Sequence, residues 1–260
     1  MRIALMRVHF SAVASFMLVA TAALGGDRSF TGYARSLDNG ELLYVESHAV
    51  SGSGSGESRV VLYRCAEDSA PFARKQLAYS AKRTMPTFDF EDARSGFAEG
   101  FARDSSGLKV FERAGAGAPM RSELISATAE LVVDAGFDEF VRANWDSLER
   151  GAVSRVPFLV PSLLRSIDFR IRKAGETVID GEAASVIRLS LAGALGWFTP
   201  DIDVSYRKRD RRLMRYRGLT NIRDAGGELL KAQIDFPDAA PATTAVNLAA
   251  MRALPLAPCP

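Results

Sequence analysis

From residue 165 onward the chain alternates apolar and polar side chains with a period of two, and this pattern constrains the fold more than any motif does. Ile167, Phe169 and Ile171 share one face while Asp168, Arg170 and Arg172 share the other. Only an extended strand with one face turned to a core separates side chains in this way. The segments 183–191, 202–208, 213–219 and 229–236 continue the pattern, with turns at Gly175, Asp180-Gly181, Asp210 and Ala225-Gly226-Gly227. Short strands at such spacing form an antiparallel meander. A first set precedes them at 42–47, 59–63, 72–79, 88–91, 96–101 and 108–113, its first two members separated by the Gly/Ser run 51–56. That run reads as a long, mobile hairpin loop. It lacks the Lys and Ser/Thr of a phosphate-binding loop, and no helix follows it. Together the sets predict about eleven strands.

The middle of the chain has a different period. Between Ala127 and Arg150, Phe137, Phe140, Val141, Trp145 and Leu148 fall on one helical face, with Asp138, Glu139, Arg142, Asp146 and Glu149 on others. Gly136 is expected to split the stretch into two helices. Residues 152–166 carry Pro157 and Pro161 within an apolar run, which excludes a helix interior or a central strand and reads as an extended loop. A long antiparallel sheet has to cover its apolar face or close on itself. The predicted fold is therefore mainly β (α+β): a curved antiparallel sheet or half-barrel with one or two helices packed on its concave face. A two-sheet sandwich is the alternative.

The first 26 residues read as a secretory signal peptide. Arg2 and Arg7 open it, residues 10–24 are apolar or small, and Ala20-Thr21-Ala22 fits a cleavage site. A retained membrane anchor is the competing reading. The expected organisation is a leader over 1–26, one β-rich domain over 27–237 and an Ala/Pro-rich tail over 238–260, in an exported, periplasmic protein that does not span the membrane after cleavage. No cysteine follows the apolar stretch to carry a lipid. The whole chain has 33 Lys and Arg against 31 Asp and Glu. Removing the two leader arginines leaves a neutral chain, which gives no case for binding nucleic acid. An even cysteine count in an exported chain allows one disulfide, Cys65–Cys259, which would stabilise by roughly 5 kcal/mol in the chain-entropy model. Two unrelated free thiols are the other reading.

Few residues suit catalysis. The chain has 2 histidines, His9 and His48, and the first lies in the leader, so no multi-histidine metal site can form. Ser47 and His48 point to opposite faces of a strand and cannot act as nucleophile and base. No G-x-S-x-G elbow occurs. The closest acid pairs, Glu91-Asp92 and Asp201/Asp203, also fit solvated strand faces. No cofactor or metal is implied, and the chain reads as non-enzymatic.

The densest charge lies at a hairpin, Tyr206-Arg-Lys-Arg-Asp-Arg-Arg-Leu-Met-Arg-Tyr-Arg217, with seven cations and one acid. Arg207, Lys208, Arg209, Arg211 and Arg212 form a candidate anion or partner patch. The alternative is a solvated hairpin paired with acids on neighbouring strands.

Around this hairpin the sequence resembles a known superfamily. Asp201-Ile-Asp-Val-Ser-Tyr206, Arg212-Leu213-Met-Arg-Tyr216, Asp224-Ala-Gly-Gly227 and Ala232-Gln-Ile-Asp-Phe236 are similar to the closing strands of periplasmic lipoprotein carriers of the LolA/LolB type. The resemblance covers about residues 165–236. It also extends to exported bacterial proteins with no assigned activity. It implies an incomplete barrel whose concave face holds acyl chains under a helical lid. The N-terminal third departs from the carriers' pattern, and no local motif identifies a counterpart of their ligand-controlling arginine. The expected function is a periplasmic binder or carrier of a lipid or other hydrophobic molecule, lined by Phe137, Phe140, Trp145, Trp197 and Phe198. The alternative is a cell-envelope structural or interaction protein that docks through residues 207–217.

Overall fold

Alternating strands that each bury one face assemble side by side until their edges are covered, and here they build a single sheet. The computed structural model describes residues 27–126, 128, 130–193, 200–238 and 247–259. The first eight strands are β1 (Arg28–Ser36), β2 (Leu42–Ser51), β3 (Ser58–Arg64), β4 (Pro71–Ala78), β5 (Thr87–Asp92), β6 (Phe97–Asp104), β7 (Gly107–Arg113) and β8 (Arg121–Leu124). After a helical segment come β9 (Val153–Val160), β10 (Arg165–Ile179), β11 (Glu182–Leu191), β12 (Ile202–Arg207), β13 (Leu213–Arg223) and β14 (Leu229–Asp235). All fourteen lie in one antiparallel sheet in the order β8-β7-β6-β5-β4-β3-β2-β1-β14-β13-β12-β11-β10-β9.

Two meanders thus run outward from a central seam where β1 pairs with β14, Tyr33 opposite Asp235. The sheet is open rather than a closed barrel, with β8 and β9 at its edges. Register shifts interrupt five of the ladders, among them β3/β4 at Tyr63/Arg64 and β10/β11 at Lys173/Gly175. Such bulges bend and twist the strands that carry them.

The structure has the predicted architecture and more strands than the eleven counted. β1 and β8 lack a clean alternation. β9 occupies the apolar stretch read as a loop, because Pro157 sits on an edge strand, where its missing N–H costs no ladder bond. Val132 donates to Pro157 O and accepts from Leu159 N, both at 2.9 Å, and so covers this edge. Gly175, expected as a turn, is the site of a bulge within β10.

The helical segment also starts later than its periodicity suggested. α1 (Gly136–Ala143) and α2 (Trp145–Glu149) meet at Asn144, while 131–133 is extended. Leu131 and Val133 point into one core and Val132 into a second. Gly136 marks a close approach rather than a helix break, since a Cβ there would lie 2.1 Å from Thr84 O. The Gly/Ser run is a short connection with a turn at Gly54–Gly56, held by Arg83 Nη1 donating to Gly54 O.

The C-terminal segment, expected as an Ala/Pro-rich tail, docks on the sheet. α3 (Leu248–Ala253) lies against β2 and β3. Arg74 donates to Arg252 O and Leu254 O, and Ala257 N donates to Pro71 O. Arg74 alternates with Lys75, which faces the concavity, so the tail lies on the opposite face of the sheet. Cys65 and Cys259 are joined there, with Cα atoms 6.0 Å apart. Among the described residues, no helix is long and apolar enough to cross a membrane.

Candidate functional site

The segment between β8 and β9 has to cross from one edge of the sheet to the other, and it does so over the concave face. Its helices pack on the β9–β12 half: Phe137, Val141, Trp145 and Leu148 meet Val156, Ile171, Ile187, Leu189, Val204 and Tyr206. Tyr206 Oη donates to Asp138 Oδ1 at 2.6 Å. On the other side, Glu139 of α1 accepts from Arg83 Nη2 at 2.9 Å and Nε at 3.1 Å. Lys75 Nζ donates to Asp134 Oδ2 at 2.7 Å. α1 is therefore fastened to both halves of the sheet. Arg59 and Arg83 both lie over the Tyr79 ring, at 4.6 and 4.2 Å. Burial opposes ionisation of Glu57 and Glu139, but these guanidinium groups outweigh it and hold both carboxyls below their ordinary value. The stability they supply is lost as the pH falls through those lowered values.

Beneath α1 lies a cavity of about 490 Å³, only partly enclosed. Its walls are mostly apolar. They include Phe30, Val61, Leu77, Phe88 and Phe97 from the first meander, Ile167, Phe169, Ile202, Leu213, Ile234 and Phe236 from the second, and Phe137 from α1. The volume falls within the range of about 300–1,000 Å³ usual for small-molecule pockets.

One rung of the sheet runs through this wall. Phe30, His48, Val61, Lys75, Phe90, Glu99, Glu112 and Arg121 are successive cross-strand partners from β1 to β8. His48 stacks on Phe30 at 4.4 Å and meets the edge of Phe236 at 5.7 Å, and its Nε2 is 2.8 Å from Glu46 Oε2. It is part of the cavity wall and faces no nucleophile. Lys75 is pushed down by burial, but Asp134 outweighs this and keeps it charged, above its ordinary value. Glu112 accepts from Arg121 Nη2 at 2.8 Å.

Glu99 is different. It is 8% exposed, and among the described residues it has no hydrogen-bond or ion-pair partner. Burial raises its pKa first, Asp134 and Glu112 add to that, and Lys75 and Arg223 offset only part, so it is pushed up to about 7. Its contribution to stability is complete well below that value and is lost as the pH rises through it.

Of the ligand-lining residues predicted, Phe137 lines this cavity. Phe140 is half-buried against the second core. Trp145 packs edge-on against Tyr206 at 6.4 Å, under Arg211. Trp197 and Phe198 lie outside the described residues. The sequence reading missed Glu46, Lys75, Glu99 and Asp134.

The five cations of the predicted patch each face a carboxylate of this chain. Arg207 is buried and pairs with Asp210 at 2.7 Å and Asp238 at 2.9 Å. Lys208 pairs with Glu176 at 2.5 Å, Arg209 with Glu182 at 3.0 Å, Arg211 with Asp146 at 3.3 Å and Arg212 with Asp238 at 2.9 Å.

No protein-family model matches the chain, and no curated protein matches it. Among solved structures, it is similar to a beta-barrel-like protein of the domain of unknown function DUF1849 from Brucella abortus. That match has 9% identity and a TM-score of 0.50, over 81% of this chain and 95% of that one. A "putative outer membrane lipoprotein-sorting protein domain" from Vibrio parahaemolyticus also matches. It has 9% identity and a TM-score of 0.31, over 84% and 86% of the two chains. A DUF1329 family protein from Desulfovibrio piger matches at 10% identity and a TM-score of 0.26, over 82% and 83%. The two lower scores carry no argument. What the Brucella likeness establishes, at its low identity, is a shared beta-barrel-like fold.

Proposed function

We propose that the protein is an exported, periplasmic binder or carrier of a lipid or other apolar small molecule, held in the cavity beneath α1. The supporting observation is the cavity itself: about 490 Å³ with mostly apolar walls, between two meanders that α1 bridges. A sheet of this size could have filled its concavity with side chains, and apolar space left unfilled costs dispersion contacts that a ligand restores. The leader-like N-terminus supports export, and the reading is non-enzymatic because His48 faces Glu46 and two aromatic rings. Docking through the arginine hairpin draws no support from cations that are already paired within the chain.

The neutral probe N-phenyl-1-naphthylamine tests the reading. The wild-type protein should bind it in a saturable manner with enhanced fluorescence. Leu213→Trp places a larger side chain in the cavity wall and should weaken binding by about tenfold or more, while costing about 1–3 kcal/mol of stability. Unchanged probe binding in a folded Leu213→Trp protein would mean that the probe sits elsewhere.

A further inference from the structure

The polar groups of the cavity wall restrict what kind of apolar molecule it suits. Four acids line it: Glu46, Glu99, Asp134 and Asp138. Three are engaged, Glu46 with His48, Asp134 with Lys75, and Asp138 with the Tyr206 hydroxyl. Glu99 is not, although it sits between Phe97 and Phe101 on the same strand face and more than nine-tenths of it is buried.

The cations near Glu99 do not pair with it. Lys75, two strands away on the same rung, points to Asp134. Arg223 of β13 donates from Nη1 to Gly227 O at 2.7 Å and lies over the Phe97 ring, while its buried Nε has no partner among the described residues. Glu112, the neighbour on β7, is held by Arg121 and adds only negative charge. A buried carboxyl without a partner is costly, and the group that removes the cost is a hydrogen-bond donor, best a cationic one. A carboxylate ligand would add a fifth acid to a wall whose four acids face three cations, Arg59, Lys75 and Arg223. A neutral, purely apolar ligand would leave Glu99 unpaired.

Resting on the reading of the cavity as an apolar-ligand site, we propose that its ligand is an apolar amine, with the ammonium group held by the Glu99 carboxylate and the hydrocarbon part lying against the walls. Binding of this kind strengthens as the pH rises and Glu99 loses its proton. Of the other charged or titratable groups around the site, Lys75, Asp134, Glu112, Glu46 and His48 are tied into the contacts described above. Arg59 pairs with Glu57, Asp138 accepts from Tyr206, Tyr216 donates to Leu219 O, Tyr63 packs on Phe90, and Arg223 is held through Nη1.

Calorimetric titration of octylamine, octanol and octanoate tests the assignment, on the wild type and on Glu99→Gln, at about pH 6 and about pH 8. At the higher pH, octylamine should bind the wild type at least about tenfold tighter than octanol. That preference should shrink at the lower pH and vanish in Glu99→Gln, whose continued binding of octanol shows that the cavity has survived. Equal affinities for octylamine and octanol, a preference that persists in Glu99→Gln, or tightest binding of octanoate would each overturn the amine assignment while leaving an apolar-ligand site. Binding of none of the three would overturn both readings.

Discussion

Asp134→Asn should destabilise the protein by about 3–5 kcal/mol, because it strands the Lys75 ammonium in the wall of the cavity. The pair is short, at 2.7 Å, and both side chains are largely buried. The substitution leaves the local backbone intact. Asp134 has φ +44, a conformation that Asn tolerates, and the Oδ1 that accepts from Ala135 N is retained in the amide. The double variant Lys75→Met/Asp134→Asn removes both charges and should recover most of the loss. Urea unfolding of the wild type, both single variants and the double variant gives the coupling energy directly. A single-variant cost below about 1 kcal/mol would show that the pair is solvated and does not fasten the segment ahead of α1.

Cys259→Ser should cost about 2–5 kcal/mol under oxidising conditions. The bond closes a loop with a sequence separation of 194, so its loss frees nearly the whole unfolded chain. It also releases the segment that ends at Cys259, whose other anchors on β4 are Arg74 and the carbonyl of Pro71. Thermal unfolding with and without reductant checks this. The wild type should fall to the Cys259→Ser midpoint on reduction, and the variant should not respond. A wild type indifferent to reductant would mean that the clamp contributes nothing.

How far the sequence revealed the fold depended on whether alternation ran uninterrupted. β11–β14 separate apolar from charged positions cleanly and were found within a few residues, whereas β10 runs on through Gly175, read as a turn, to Ile179. β9 was missed because two prolines mark it as irregular, yet an edge strand accepts Pro157. The residues 131–133 were absorbed into a helix because Leu131 and Val132 fit a helical face as well as a strand. Only the tertiary structure, with a core on each side, decides between them.

The site was much less legible. Aromatic residues were chosen on hydrophobicity alone, which finds cores as readily as cavities. Of the two placed on α1 and the one on α2, Phe137 faces the space while Trp145 is packed under Arg211. The better signal lay in the strands. In β6, Glu99 stands between Phe97 and Phe101 on one face, where a charge at i±2 from two phenylalanines is out of place on a buried surface. Lys75 sits likewise between Ala73 and Leu77. Their convergence on one rung could not be read without the register of the two ladders that join β4, β5 and β6. The arginine hairpin, the most conspicuous feature of the sequence, is balanced by acids from β10, β11, α2 and residue 238, all distant in sequence.

The measurement that bears most directly on the central claim is native mass spectrometry of the protein purified without detergent from its expression host, followed by denaturation and lipid analysis of whatever is released. The account predicts one apolar molecule per chain, bound in the native spectrum and absent after unfolding. It also predicts that Leu213→Trp emerges without it. A native mass equal to that of the bare chain, unchanged after incubation with phospholipids, fatty acids and alkylamines, would contradict the account.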